Sequence, residues 1–186
     1  MAPAERSRAV RAILIAGLTA GALDIAAACG FYALRGVSPV RILQSIASGL
    51  QGPDAFTGGA RTALLGAVLH FFIASVAAGV YYATSQRLLF LVRRPWVSGA
   101  AYGVAVYLFM NQVVLPLSAV AKRPFVLSTA RAMVVIHIVC VGWPIALIVK
   151  HYSRQNQTGS RINEHSQGGS PWDTSMDTSF LSTRRS

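Results

Sequence analysis

Four apolar stretches, each about as long as a bilayer is thick, constrain this chain more than any other feature of its sequence. They cover residues 12–34, 62–85, 97–118 and 130–150. A span needs roughly 20 apolar residues, and a backbone in lipid has no water to bond with, so each stretch must be helical. Only 12% of the residues are charged, against about 25% in soluble domains. The sequence therefore predicts an all-α integral membrane bundle of four transmembrane helices.

Two polar segments flank these stretches. Residues 1–11 are basic, whereas residues 153–186 are rich in Ser, Thr, Gln, Asn and Gly. The second segment has too few apolar side chains to offset the entropy lost on ordering, so it is predicted to be a disordered tail. We therefore expect one transmembrane domain, residues 12–152, between a basic N-terminus and this tail.

A secretory signal peptide is an alternative interpretation of the first stretch. Arginines precede it, and Ala26, Ala27 and Ala28 form a small-residue cleavage pattern. Asp24 interrupts the apolar run, however, and hydrophobicity resumes as far as Leu34. We therefore expect this stretch to remain in the protein as its first span.

The connection between the first two spans is predicted to contain a short amphipathic helix over residues 39–50. Ser38 followed by Pro39 is a typical helix start, with the serine as N-cap. The apolar residues of this segment share one helix face: Ile42, Leu43, Ile46 and Leu50. Such a helix is expected to lie flat at the membrane interface, with that face towards the membrane or the bundle, and a re-entrant segment is the alternative.

Basic residues indicate both the partner and the orientation. The net charge of +11 is divided among clusters between the apolar stretches, which favours a bilayer, and not a nucleic acid, as the partner. With four spans both termini share one side, which holds Arg6, Arg8, Arg11, Arg87, Arg93, Arg94, Lys150, Arg154 and Arg161. The opposite side holds Arg35, Arg41, Arg61, Lys122, Arg123 and Arg131. The larger basic group favours cytoplasmic termini. Three aromatic residues are expected to mark the inner membrane boundary: Tyr81, Tyr82 and Trp96.

Each predicted span carries one strongly polar residue near its middle: Asp24, His70, Asn111 and His137. At 1.5 Å per residue they lie about 18–22 Å from the inner ends of their helices, so the sequence predicts one polar layer inside the bundle. An aspartate in mid-membrane costs roughly 2.5–3.5 kcal/mol. Asp24 is therefore expected to be protonated or to face one of the two histidines.

This polar layer has three interpretations. Its members can fix the helix register through contacts of about 0.6 kcal/mol each. They can form a proton or ion relay, or contact a substrate, as Asp and His do in transporters. Two histidines and an aspartate can also bind a metal, but their spacing matches no known ligand motif, and we assign no metal or other cofactor.

Small residues and prolines predict how the helices pack. GxxxG pairs allow close approach of two helices, and they occur as Gly17 with Gly21 and Gly99 with Gly103. Pro116 and Pro144 are expected to kink or end the third and fourth spans.

The motifs of soluble enzymes are missing from the sequence. It contains no GxSxG, P-loop, HExxH or Rossmann fingerprint, and its acidic residues are few and scattered. Cys29 and Cys140 lie inside apolar runs, where thiols usually behave as small hydrophobes. The protein is therefore not expected to be an enzyme, and no catalytic residue is assigned.

Four short phrases, together with Asp24, carry a family resemblance. They are LQSIASG at residues 43–49, HFFIA at 70–74, VYY at 80–82 and VVLPLS at 113–118. In these phrases the chain resembles uncharacterised bacterial inner-membrane proteins of the YagU-like kind, over about residues 12–150. The resemblance implies four helices and a cytoplasmic-membrane location, and it implies no substrate or catalytic residue.

Two classes of function remain open from the sequence. The favoured one is a structural or interaction protein of the cell envelope, whose partners are the bilayer and either further copies of itself or another membrane protein. The alternative is a minimal transporter or proton-coupled conductance that uses the Asp and His residues, as an oligomer because four helices rarely enclose a pore. A dry layer with every polar group paired indicates the first class, and a water-accessible crevice that reaches the layer indicates the second.

Overall fold

The computed structural model describes residues 3–119 and 126–153, and they belong to one compact unit. Four of its helices are long and apolar enough to cross a membrane: Glu5–Ala33, Gly59–Ser85, Pro95–Leu117 and Leu127–Ser153. The predicted fold class, an all-α membrane bundle of four transmembrane helices, is confirmed. The predicted tail from residue 154 onwards and the basic pair Lys122 and Arg123 lie outside the described residues.

All the elements in the described part of the chain are helical. In chain order they are α1 (Pro3–Ala33), α2 (Pro39–Gln51), a 3-10 helix (Gly52–Phe56), α3 (Gly59–Ser85), α4 (Leu89–Arg93), α5 (Pro95–Phe109), a π segment (Met110–Val114), α6 (Leu115–Leu117), α7 (Leu127–Ile136) and a second π segment (His137–Gly142). The third span combines α5, the first π segment and α6. The fourth span combines α7, the second π segment and further helical turns as far as Ser153.

The first helix begins well before the apolar stretch that predicts it. α1 starts at Pro3, so Arg6, Arg8 and Arg11 lie exposed on its first turns and do not form a separate leading segment. Arginine is a good helix former, and its long side chain can reach water or headgroups from the helix surface. The helix therefore continues across the boundary at which the apolar residues begin.

Small residues of the first helix form one side of the core. Ala9, Ala12, Ala16 and Ala20 recur at helical spacing and are buried. They pack in one cluster with larger side chains of the second and fourth spans, which include Tyr81, Val141, Ile145 and Val149. Alanine at these positions lets the larger side chains fill the space between the helices.

Glycines bring the spans together in two antiparallel pairs. A Cβ on Gly17 would lie 2.6 Å from the Ser75 Cα, so the first and second spans are in backbone contact there. A Cβ on Gly142 would overlap the carbonyl of Gly99, and one on Gly103 would lie 2.6 Å from the His137 carbonyl oxygen. The predicted close approach at the GxxxG pairs is confirmed, and it occurs within one chain.

The helix predicted in the first connection is present as α2, and within the chain it also buries polar residues. Ser38 is its N-cap and accepts a hydrogen bond from the Arg41 backbone N–H at 3.3 Å. Of the apolar residues expected to face the membrane or the bundle, Ile42 is buried whereas Leu50 is 68% exposed. Gln44 is 5% exposed, because it turns towards the start of α3. Both positions agree with a face directed towards the membrane or the bundle, since Ile42 packs within the chain and Leu50 is left on its surface.

Hydrogen bonds and a glycine on α3 hold α2 against that helix. Gln44 Nε2 donates to the Gly59 carbonyl oxygen at 3.1 Å and to Thr62 Oγ1 at 3.4 Å. A Cβ on Gly66 would overlap the carbonyl of Leu43, so α2 and α3 are in backbone contact. α2 is also joined to the end of the third span, since the Ala119 N–H donates to the Gly49 carbonyl oxygen at 3.0 Å.

Candidate functional site

Three of the four predicted polar residues meet between the first, second and fourth spans. Asp24 lies on α1, His70 on α3, and His137 begins the second π segment. Asp24 Oδ2 is 4.0 Å from His70 Nε2, and Asp24 Oδ1 is 3.8 Å from His137 Nδ1. These separations allow charge attraction but are too long for hydrogen bonds. We refer to these three residues as the Asp24 site.

Both imidazoles of the Asp24 site donate their hydrogen bonds to backbone carbonyls and not to the aspartate. His70 Nε2 lies 2.9 Å from the Gly21 carbonyl oxygen, and His137 Nδ1 lies 2.9 Å from that of Met133. Because a carbonyl oxygen only accepts, each of these nitrogens carries a hydrogen. The ring nitrogens nearest the carboxylate are thus already engaged elsewhere.

The carboxylate of Asp24 is consequently under-paired. Within residues 3–119 and 126–153, Asp24 Oδ1 is the one fully buried side-chain nitrogen or oxygen atom that has no hydrogen-bond partner. The side chains of Asp24, His70 and His137 retain 14%, 15% and 18% of their exposure, so the site is not sealed inside the chain. Burying an ionised carboxylate without hydrogen bonds is unfavourable, which makes a bound proton a means of relieving that cost.

The Asp24 site combines one carboxyl group with two imidazoles. With an ionised carboxylate and two neutral imidazoles, it carries a single negative charge. One added proton, either on the carboxyl group or on the second nitrogen of a ring, makes the site neutral overall. The Asp24 carboxylate thus lies within 4.0 Å of two imidazoles, and each of these groups can accept or donate a proton.

Aromatic rings support the two histidines of the site. Tyr107 of the third span meets His137 edge to face with the ring centroids 5.6 Å apart, and Phe71 meets His70 in the same way at 5.6 Å. These contacts restrict how far each imidazole can turn. The orientation of both rings towards Asp24 is therefore fixed by packing as well as by hydrogen bonds.

Asn111 does not join the other three residues, so the four-residue layer is wrong at this position. Its side chain is exposed and donates to the Tyr107 carbonyl oxygen of its own helix at 2.9 Å. The third span packs through Gly103, and eight residues at 3.6 per turn place Asn111 about 80° around the helix from that glycine. Equal depth along the helix is thus not sufficient, because the direction around the axis also decides which side chains meet.

The two prolines explain why the third and fourth spans contain π segments. Pro116 and Pro144 have no N–H, so the carbonyls of Gln112 and Cys140 lose the usual donor four residues later. Each of these carbonyls lies within a π segment, Met110–Val114 or His137–Gly142. The predicted distortions thus take the form of widened turns, which are frequent at functional sites, and one of them begins at His137.

A second polar cluster, not foreseen from the sequence, joins the second and third spans. Tyr81 Oη lies 2.9 Å from Ser98 Oγ and donates to the Leu91 carbonyl oxygen at 3.1 Å. Ser98 Oγ also lies within bonding distance of the Leu91 and Arg94 carbonyl oxygens, at 2.9 and 3.0 Å. Tyr102 Oη donates to the Ala77 carbonyl oxygen at 2.6 Å. We refer to Tyr81, Ser98 and Tyr102 as the tyrosine cluster.

The tyrosine cluster corrects the assignment of the boundary aromatics. Tyr81 and Tyr82 are 1% and 9% exposed, so they pack inside the bundle and do not face headgroups, whereas Trp96 is 59% exposed. A sequence signal was available, because Tyr81 continues the spacing of the small residues Ala74 and Ala78 on one face of α3.

The metal interpretation of the polar layer receives no structural support. The described residues include no group of three or more His, Cys, Asp or Glu side chains that could hold a metal ion. At the Asp24 site the ring nitrogens nearest the carboxylate carry hydrogens, so they offer no lone pair to an ion placed between them.

Comparison with known proteins adds no relative. No protein-family model matches the sequence, and neither a curated protein nor a solved structure matches it. The resemblance to YagU-like proteins therefore stays a prediction. The four apolar helices define the class, which is a multi-pass membrane protein.

Proposed function

We propose that this chain is a multi-pass protein of the bacterial inner membrane that binds and passes a proton at the Asp24 site, as a minimal transporter or proton-coupled conductance. One observation carries the proposal. The Asp24 carboxylate lies 3.8 and 4.0 Å from two imidazole nitrogens, yet its Oδ1 has no hydrogen-bond partner among the described residues.

The energetics of membrane interiors support this function over simple helix attachment. A polar group that only joins helices lowers the energy of the bundle when its hydrogen bonds are made, and an unpaired one raises it. Ionisable residues in spans are costly and commonly mark ion or proton pathways. The Asp24 site combines that cost with incomplete pairing and partial exposure.

The proposal includes an oligomer and an orientation. Four helices rarely enclose a pore, and the third span is the least buried of the four within the chain, which leaves it most available to a neighbouring copy. Cytoplasmic termini follow from the larger basic group on their side. A periplasm-active reporter fused after Gln155 is expected to be inactive, and strong activity there contradicts the orientation.

A structural or interaction role in the envelope is the second candidate, and a specific contact favours it. The hydrogen bond from His70 Nε2 to the Gly21 carbonyl oxygen, 2.9 Å long, joins the second span to the first. In this alternative the histidine serves to hold two helices in register. Asp24 is then a tolerated neighbour with no role in moving protons.

Proton flux into liposomes distinguishes the two candidates. Purified full-length protein is reconstituted with a pH-sensitive dye inside, and a pH gradient is imposed. We expect flux above that of empty liposomes, and we expect Asp24→Asn to reduce it to the empty-liposome level, because the amide keeps the shape but cannot take up the proton.

A matched variant controls for loss of a carboxylate elsewhere. Asp54 is exposed on the 3-10 helix, and Asp54→Asn is expected to retain the parent flux. Parent protein that gives no flux, or an Asp24→Asn variant that conducts like the parent, contradicts the proton function and leaves the structural candidate.

A further inference from the structure

We propose that a cavity beside α2, at the end of the bundle where α1 ends, binds the headgroup of an anionic phospholipid. The cavity has a volume of about 320 Å³. It is lined by Tyr32, Val37, Arg41, Ile42, Ser45 and Phe56. These residues come from the end of α1, the turn that follows it, α2 and the 3-10 helix.

The position of the cavity places it where lipid headgroups lie. Tyr32 is in the last turn of α1, so the cavity begins where the first span ends. The ends of a span coincide with the boundary between the hydrocarbon and the headgroups. A ligand here is therefore in contact with apolar chains on one side and with water on the other.

The lining matches a molecule that has one anionic and one apolar part. Tyr32, Val37, Ile42 and Phe56 supply apolar surface, whereas Arg41 supplies a positive charge and Ser45 a hydroxyl group. Arg41 is exposed, and no acidic side chain among the described residues lies within salt-bridge distance of it. The charge of the cavity is thus complementary to a phosphate.

Arg41 is held in a geometry suited to phosphate. Its guanidinium carbon lies 4.6 Å from the centroid of the Phe56 ring. Stacking on a ring face uses the flat side of the guanidinium and leaves the N–H groups at its edge to bind phosphate oxygens in pairs. By contrast, the Arg35 guanidinium carbon lies 3.8 Å from the centroid of the Phe31 ring, and its Nη1 donates to the Phe31 carbonyl oxygen. One of the guanidinium nitrogens of Arg35 is therefore already occupied.

The cavity size selects the part of the lipid that enters. A volume of about 320 Å³ is at the small end for ligand pockets, which are roughly 300–1,000 Å³. It suits a glycerophosphate group and the first carbons of the acyl chains. The remaining chain length must then run along the outside of the first and second spans, which a membrane already covers with lipid.

Binding of a tail-labelled phosphatidylglycerol tests this site. Full-length protein in neutral detergent is titrated, and fluorescence anisotropy reports binding. Arg41→Gln is expected to weaken binding about tenfold, the effect of losing one charge-assisted contact. Arg41→Lys is expected to fall between Gln and the parent, because lysine keeps the charge but loses the paired contacts.

Three controls make the result specific. Arg61→Gln removes an exposed arginine outside the cavity and should leave binding unchanged, so an equal loss in both variants means general charge attraction and overturns the site. Phosphatidylcholine with the same label should bind weakly to every variant. Glycerol phosphate without acyl chains should displace the lipid only at far higher concentration; displacement at equal concentration assigns the cavity to a soluble phosphate and overturns the lipid proposal.

Discussion

The Asp24 site and the tyrosine cluster are both polar, and both lie between apolar helices, yet their hydrogen bonding differs. In the tyrosine cluster each hydroxyl has a partner at 2.6–3.1 Å. At the Asp24 site the closest approaches to the carboxylate are 3.8 and 4.0 Å, and Oδ1 is unpaired among the described residues. The same fold can thus satisfy polar groups fully, which makes the incomplete pairing of Asp24 a distinguishing feature.

This difference separates a contact that stabilises from one that costs free energy. Each buried hydrogen bond of the tyrosine cluster contributes roughly 0.5–1.5 kcal/mol to stability. An aspartate in mid-membrane instead costs roughly 2.5–3.5 kcal/mol. We infer that the tyrosine cluster holds the second and third spans together, whereas Asp24 lowers the stability of the bundle.

The third and fourth spans are in backbone contact at Gly99, Gly103 and Gly142, and we call this contact the glycine crossing. Disturbing it should have the largest effect on stability. Gly99 follows Ser98, and its carbonyl meets Gly142, so Gly142→Ala forces the two helices apart. We expect this variant to lose about 1–3 kcal/mol of unfolding free energy, measured by thermal melting in detergent, because overpacking cannot relax against a backbone.

Gly30→Ala is the matched control for the glycine crossing. Gly30 lies in α1, and a Cβ there would meet no atom within 4 Å. Alanine favours the helix by up to about 1 kcal/mol, so this variant should melt at the parent temperature or higher. Equal losses in the two variants are incompatible with a specific crossing.

Removing one hydroxyl from the tyrosine cluster should have an intermediate effect. Tyr81→Phe deletes the contacts to Ser98 Oγ and to the Leu91 carbonyl oxygen, and we expect a loss of about 1–1.5 kcal/mol in the same melting assay. The control is Tyr152→Phe, because Tyr152 also packs against the core but lies outside the tyrosine cluster. A Tyr81→Phe variant as stable as the parent contradicts the stabilising role of the tyrosine cluster.

Asn111 should show the smallest effect of all. Its side chain is exposed and bonds only to its own helix, so Asn111→Ala is expected to change stability by less than about 0.5 kcal/mol and to leave proton flux unchanged. A large loss of flux in this variant returns Asn111 to the polar layer and contradicts the three-residue site.

The spans could be predicted from the sequence because lipid permits few alternatives. The length and apolar content of the four stretches require four helices. The ends of the helices are harder to predict, because residues such as Arg6 and Arg8 are compatible with a helix and also with a polar segment outside the membrane. The turning of Gln44 towards α3 was not predictable, because it depends on Gly59, Thr62 and Gly66 in another helix.

The Asp24 site could be predicted in part, because the cost of placing a carboxylate in mid-membrane dominates its energetics. The cost of a mid-membrane carboxylate pointed from Asp24 to His70 and His137, and the structure places all three together. Asn111 was misplaced because its uncharged amide costs less than a carboxylate and bonds to the Tyr107 carbonyl oxygen of its own helix, so it needs no partner on another span. The tyrosine cluster was missed because tyrosine is equally suited to a membrane boundary and to a buried hydrogen bond.

Asp24→Leu, examined by thermal melting and by proton flux in the same preparation, tests the central claim most directly. Leucine removes the under-paired carboxylate, while His70 and His137 keep their hydrogen bonds to the Gly21 and Met133 carbonyls. We predict a melting temperature equal to or above that of the parent, with proton flux at the level of empty liposomes. A variant that melts clearly below the parent shows that Asp24 holds the helices together and contradicts the account.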